Sequence, residues 1–171
     1  TNWVSMPPAA DPFPPAAPHV ASNLPPSAGL VALAPPSRDD LKSARLLGEA
    51  MGKAGMGLVY GGGAKGIMGA VADAVLDSGG KVTGIIPQFL IAKESSAQSL
   101  TRLSETLVTE NMHERKHLMF ERSDAFVALP GGIGTLEEII EIMTWAQLGR
   151  HEKPIVFANI GGFWDPLLAL L

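Results

Sequence analysis

From Gly29 onward, short apolar runs alternate with stretches whose apolar residues recur at helical spacing. Gly29–Ala34, Met56–Tyr60, Lys81–Ile86, Ala125–Leu129 and Pro154–Asn159 read as buried strands, and Thr106–Thr109 as a weaker one. Between them, Asp39–Lys53 puts Leu41, Ala44, Leu47 and Met51 on one helical face. Gly66–Asp77 is a helix of small residues that Gly79-Gly80 would end. Asn111–Arg122 and Thr135–Leu148 carry the same period, and another helix begins near Asp165-Pro166. Strands that are apolar throughout need cover on both faces, and strand–helix alternation supplies it. The expected fold is therefore α/β: a Rossmann-like, doubly wound parallel sheet with helices on both faces.

The first 27 residues break this pattern. Ten of the 14 prolines fall within residues 1–40, and Pro7-Pro8, Pro14-Pro15 and Pro25-Pro26 favour polyproline II over any ladder. Residues 1–27 are expected to form a Pro/Ala-rich extension, and residues 28–171 the nucleotide-binding domain.

Composition narrows the chemistry. The chain has no cysteine, which excludes disulfides, thiolate nucleophiles and cysteine-held metals. A net charge of −4, with no basic run, argues against nucleic-acid or membrane-surface binding. No apolar stretch approaches the roughly 18–20 residues of a membrane span. The first residues lack the pattern of a signal or transit peptide, so a cytoplasmic location is expected.

In such a sheet, ligands bind where the strands end at their carboxyl side. Gly61-Gly62-Gly63-Ala64-Lys65-Gly66 satisfies G-x-G-x-x-G between a strand and a helix, a place where backbone N–H groups meet an anion. The acidic residue that would hold a dinucleotide ribose is missing after Ile85-Ile86-Pro87-Gln88, so NAD is disfavoured. Pro130-Gly131-Gly132-Ile133-Gly134-Thr135-Leu136-Glu137-Glu138 is a second glycine turn. Thr135 and Glu138 either face a ligand or form a capping box for the helix that follows. Two such turns in one small domain point to a mononucleotide.

His113-Glu114-Arg115-Lys116-His117 matches the zinc-protease pattern H-E-x-x-H. Arg115 and Lys116 would set two cations beside the metal, so no metal or other cofactor is expected. The two cations instead suit an anionic ligand, which arginine binds through its planar fork.

Taken together, Gly61-Gly62-Gly63 through Gly66-Ile67-Met68-Gly69, Met112–Lys116, Pro130–Glu138 and Thr144–Gly149 resemble the LONELY GUY family. Its members are cytokinin-activating phosphoribohydrolases, often mislabelled lysine decarboxylases. The resemblance spans about Gly29 to Leu171. It implies hydrolysis of the N-glycosidic bond of a cytokinin riboside 5′-monophosphate, and of AMP, to free base and ribose 5-phosphate. Arg115 and Glu138 are then the catalytic pair. Gly62, Gly63, Glu94, Lys116 and Thr144 are implied substrate contacts. Gly131, Gly132, Ile133, Gly134, Thr135, Leu136 and Glu137 are implied to surround the phosphate. A homodimer or higher homo-oligomer is also implied, with the site partly shared. Ala34-Pro35-Pro36-Ser37 departs from the family's Gly-Ser-Ser loop and removes two N–H donors. A non-catalytic relative of the same fold, such as a molybdenum-cofactor carrier, is the alternative.

Overall fold

The computed structural model describes residues 26–31 and 37–171. The expectations for the N-terminal extension before Pro26 and for Pro35-Pro36 lie outside these residues. Six strands form one sheet: β1 (Ser27–Val31), β2 (Gly57–Tyr60), β3 (Val82–Pro87), β4 (Glu105–Thr109), β5 (Ala125–Ala128) and β6 (Ile155–Phe157). Their order is β4-β3-β2-β1-β5-β6, and every pair is parallel. The chain winds outward from β1 to β4 and then returns to β5 on the other side of β1. That reversal places a switch point between β1 and β5, where neighbouring connections leave on opposite faces and open a crevice.

One face carries α1 (Arg38–Lys53) and α2 (Gly66–Asp77). Ser37 starts α1 with a capping box: its hydroxyl accepts from the Asp40 N–H at 3.1 Å, and the Asp40 carboxylate accepts from the Ser37 N–H at 2.8 Å. The two helices come close because α1 turns Ala44, Gly48, Met51 and Gly52 inward. A methyl at Gly48 would lie 2.6 Å from the Val71 carbonyl oxygen and 2.7 Å from the Ala74 methyl. Gly48→Ala gains about 1 kcal/mol of helix propensity. The gain is outweighed, because a backbone carbonyl cannot move aside cheaply, and overpacking costs about 1–3 kcal/mol. The variant is expected to melt several degrees lower in a thermal unfolding scan.

The opposite face carries α5 (Met112–Arg122) and α6 (Ile133–Gln147). Alternation along the strands sorts the core: Leu58 and Tyr60 pack with α1 and α2, while Val59 packs with Ile85 and Met119 of α5. Phe126 packs with Phe120 and Ile142, and Ala128 with Ile139 and Trp164. The last helix, α7 (Asp165–Leu168), follows a turn at Ile160–Gly162. No helix among the described residues is long and apolar enough to cross a membrane.

The elements agree with the hydrophobic pattern except in three places. β1 begins two residues earlier than the apolar run, at Ser27, because its N–H donates to Asp124 at 2.8 Å and anchors it beside β5. Residues 88–101 hold a 3-10 turn and two short helices, α3 (Ile91–Glu94) and α4 (Ala97–Thr101), too short to show a period. Finally, α6 begins at Ile133, two residues before Thr135. Gly132 takes the extended cap conformation with no side chain to bond, so the composition of the sequence pointed past it to Thr135.

Candidate active site

The start of α6 decides the role of Thr135 and Glu138. With Gly132 as the cap, they are the third and sixth residues of the helix and form no capping box. Glu138 thus lies in the second turn, not in the first, where a capping box would place it. Thr135 is fully buried, and its Oγ1 has no hydrogen-bond partner. Its hydroxyl lies over Gly131, where any Cβ would overlap it. The N–H groups of Ile133, Gly134 and Thr135 precede the first N–H that has an intrahelical acceptor. Leu136, by contrast, spends its N–H on Gly132 O at 3.2 Å and turns its side chain into the core.

Arg115 comes from the first turns of α5. Asn111 caps that helix by accepting from the Glu114 N–H at 2.9 Å, so α5 begins right after β4, level with the carboxyl ends of the strands. The Arg115 side chain is 2% exposed and lies across the end of β2. A Cβ on Gly61 would come within 1.9 Å of Arg115 Nη2, so this glycine makes room for the guanidinium. Among the described residues, Nη1 meets Met112 Sδ at 3.8 Å, and the buried Nε has no partner.

The first glycine turn is held from the α3 segment. The Ala64 N–H donates to Glu94 O at 2.9 Å, and Ser95 Oγ donates to Gly62 O at 2.5 Å. Gly62 has φ of 74°, a left-handed conformation that glycine adopts without strain. Gly63 leaves room for the Met68 methyl. These contacts put Glu94 beside the turn, with Oε2 buried and unpartnered.

Glu138 is 7% exposed, and burial pushes its carboxyl up to about 7. The neighbouring Arg115 and Lys116 pull the other way, while Glu137 and Glu141 add to the rise. The adjacent cations part company. Arg115 turns to Gly61, whereas Lys116 reaches α6 and meets Glu137 Oε1 at 2.5 Å and Glu141 Oε2 at 2.9 Å. Those carboxylates outweigh its partial burial and hold the ammonium above the ordinary lysine value. A narrow cleft runs between α5 and α6, lined by Lys116, Glu138 and Glu141 together with Met119, Phe120, Phe126, Ile142 and Trp145.

The fold therefore gathers Gly62, Gly63, Glu94, Arg115, Gly131–Thr135 and Glu138 at one edge of the sheet. Ile133 is exposed there, and Glu137 is spent on Lys116. Thr144 is not brought in: it lies six residues beyond Glu138, about 9 Å along the helix, and its hydroxyl donates to Ile140 O at 2.7 Å. Two residues that the motifs did not single out also belong here, Ser95 and Glu141. Glu141 had a signal, since it stands three residues after Glu138 and so shares its helix face. Among the described residues, no three His, Asp or Glu side chains gather as a metal-binding group.

These features define a Rossmann-like α/β protein with two glycine turns and a buried arginine and glutamate at its switch-point edge. Within that class, the chain belongs to the LONELY GUY family. The family described as "possible lysine decarboxylase" matches residues 68–171. A rice (Oryza sativa subsp. japonica) "probable cytokinin riboside 5′-monophosphate phosphoribohydrolase" is 50% identical over 124 residues, covering 72% of this chain and 54% of that protein. The rice cytokinin riboside 5′-monophosphate phosphoribohydrolase LOG is 47% identical over 73% of this chain and 50% of its own. The enzyme of that name from Rhodococcoides fascians is 47% identical over 73% and 62%. The chain thus spans about half the length of the rice relatives. Among solved structures, the molybdenum cofactor binding protein from Rippkaea orientalis superposes with a TM-score of 0.70 at 25% identity, covering 87% of this chain and 85% of that one.

Proposed function

We propose that the protein hydrolyses the N-glycosidic bond of cytokinin riboside 5′-monophosphates, and of AMP, releasing the N6-substituted adenine and ribose 5-phosphate. One observation carries this reading. Of the four buried side-chain polar atoms without a partner among the described residues, three belong to Glu94, Arg115 and Thr135. Leaving buried polar atoms unpaired costs about 1–3 kcal/mol each. Their collection at one sheet edge supports a site that is completed by a polar ligand. The names of the rice and Rhodococcoides fascians relatives support the choice of substrate.

In this reading the 5′-phosphate rests on the N–H groups after Gly131–Gly132 and on the Thr135 hydroxyl. The C1′–N9 bond breaks through a sugar with oxocarbenium character. The ionised Glu138 carboxylate faces the developing positive charge and orients the water that adds to C1′. The water's second proton leaves with the base, which departs as the neutral purine. Arg115 holds the nucleotide and assists that departure, and Glu94 contacts the base side. Because Glu138 must be ionised, kcat/KM rises with pH through about 7. Glu137 serves through Lys116, and Thr144 joins the site of a second subunit. Exposed Ile140 on α6 and Leu148 just after it support such a homodimer, which would act in the cytoplasm.

The test is incubation with isopentenyladenosine 5′-monophosphate and with AMP, measuring free base and ribose 5-phosphate. Release from the monophosphates and not from the parent nucleosides is expected, and no release from any monophosphate overturns the reading. The likeness to the molybdenum cofactor binding protein favours a carrier as second reading. It predicts retention of that cofactor without hydrolysis of any nucleotide. Thr135→Val separates binding from folding. It deletes a buried hydroxyl that has no partner, so the melting temperature should hold or rise. KM for the monophosphate should rise about 10–100-fold, the worth of one hydrogen bond to a charged group.

A further inference from the structure

The pairing of Lys116 with α6 has a geometry that substrate binding alone does not explain. Its Nζ lies 2.5 Å from Glu137 Oε1 and 2.9 Å from Glu141 Oε2. These carboxylates stand four residues apart, one helical turn, so the ammonium bridges successive turns of α6. Glu138 lies between them in sequence, and Lys116, Glu138 and Glu141 line the same narrow cleft between α5 and α6. The other lining residues there include Met119, Phe120, Ile142 and Trp145, so charges facing this cleft are poorly screened.

We propose that Glu141 is a positioning residue for the hydrolysis: it clamps Lys116 across α6 and so fixes an ammonium beside the Glu138 carboxyl. This rests on the function proposed above and deepens it by adding a residue that acts through another. Four charged groups face Glu138: Arg115 and Lys116 from α5, and Glu137 and Glu141 from α6. The cations favour the carboxylate and the acids oppose it. Glu141 therefore acts on Glu138 twice, directly as a like charge and indirectly by anchoring Lys116. Arg115 is held apart from this clamp at Gly61.

The two effects of Glu141 predict different variants. Glu141→Gln removes the like charge and keeps a side chain that can still accept from Lys116. The carboxylate should form more readily, and the rising limb of kcat/KM should move down by about half a pH unit to one unit. Lys116→Met removes the anchored cation and should move the limb up by a similar amount. KM for the monophosphate at pH 8 should change less than about threefold in Glu141→Gln, since the phosphate contacts are elsewhere.

The titration of Glu138 is also read without turnover. Unfolding free energy is measured from pH 4 to 9 for the wild type and for Glu138→Gln, each with and without Glu141→Gln. The difference between the members of each pair follows Glu138 alone, and its midpoint should move down when Glu141→Gln is present. A midpoint that stays within 0.2 pH unit, taking about 0.2 as the resolution of such a fit, overturns the proposal even in an active enzyme. The clamp itself is read with Glu141→Leu, which removes both charge and acceptor. Its downward shift should be smaller in the wild type than in the Lys116→Met background. Equal shifts overturn the clamp, and unequal shifts in a protein that hydrolyses no monophosphate uphold it and overturn the function.

Discussion

Glu138→Gln is expected to lose about 10²–10⁴-fold in base release while making the protein more stable above neutral pH. Both effects come from one buried carboxyl. Glu138 ordinarily would titrate at 4.5, but burial lifts it to about 7 in the folded chain. Between those values the folded protein holds a proton that the unfolded chain has released. Stability attributable to this group therefore falls as pH rises from about 4.5 to about 7 and is level beyond. Glutamine carries no such charge. The variant should match the wild type near pH 4.5 and exceed it at pH 8 by up to about 3 kcal/mol, the worth of such a shift. Denaturant unfolding at the two pH values measures this, and equal stability at pH 8 would show that Glu138 is not held against its ionisation. A gain in stability at the expense of activity marks strain kept for function.

Arg115→Met should lower base release by about 10²–10³-fold, the usual cost of removing one preorganised charge from a reaction centre. Its effect on folding should be small. The guanidinium is buried and, among the described residues, has an unpartnered Nε and forms no ion pair within 4.0 Å whose acid its loss would strand. Exchanging a buried cation for an apolar side chain of similar length is often neutral or stabilising. Arg115→Lys should not restore activity, because a point charge cannot reproduce the planar fork. Gly61→Ala should behave like Arg115→Met, since the new methyl would occupy the place of Nη2. Release assays and thermal unfolding on the three variants check this. An active Gly61→Ala enzyme would show that the guanidinium need not lie where it does.

The glycine turns show how far a motif reads from sequence. G-x-G-x-x-G and P-G-G-x-G-T each fall between a strand and a helix. Their expected reason, close approach of backbone to an anion, explains only part of them. Gly61 yields space to Arg115, Gly63 to Met68 and Gly131 to Thr135. Those neighbours are 54, 5 and 4 residues away in the chain, and only the last two fall within reach of a local pattern. Arg115 and Lys116 are a second case. Side by side in sequence, they read as one cationic pair. On a helix, adjacent residues point about 100° apart, so one meets the end of β2 and the other meets α6.

The sequence by itself determined the α/β class, the parallel order of strand and helix, and the segments that line the candidate site. Hydrophobic period and glycine placement are local properties, and burial on both faces of a strand leaves few alternatives to a parallel sheet. Only the tertiary structure decided that α6 starts at Gly132, that Thr135 faces inward unpaired, and that Glu138 is lifted to about 7. Each of these depends on what the fold brings near and what it shuts away from water. Desolvation and pairing are set by neighbours distant in the chain, and no spacing rule along a single strand of sequence contains them.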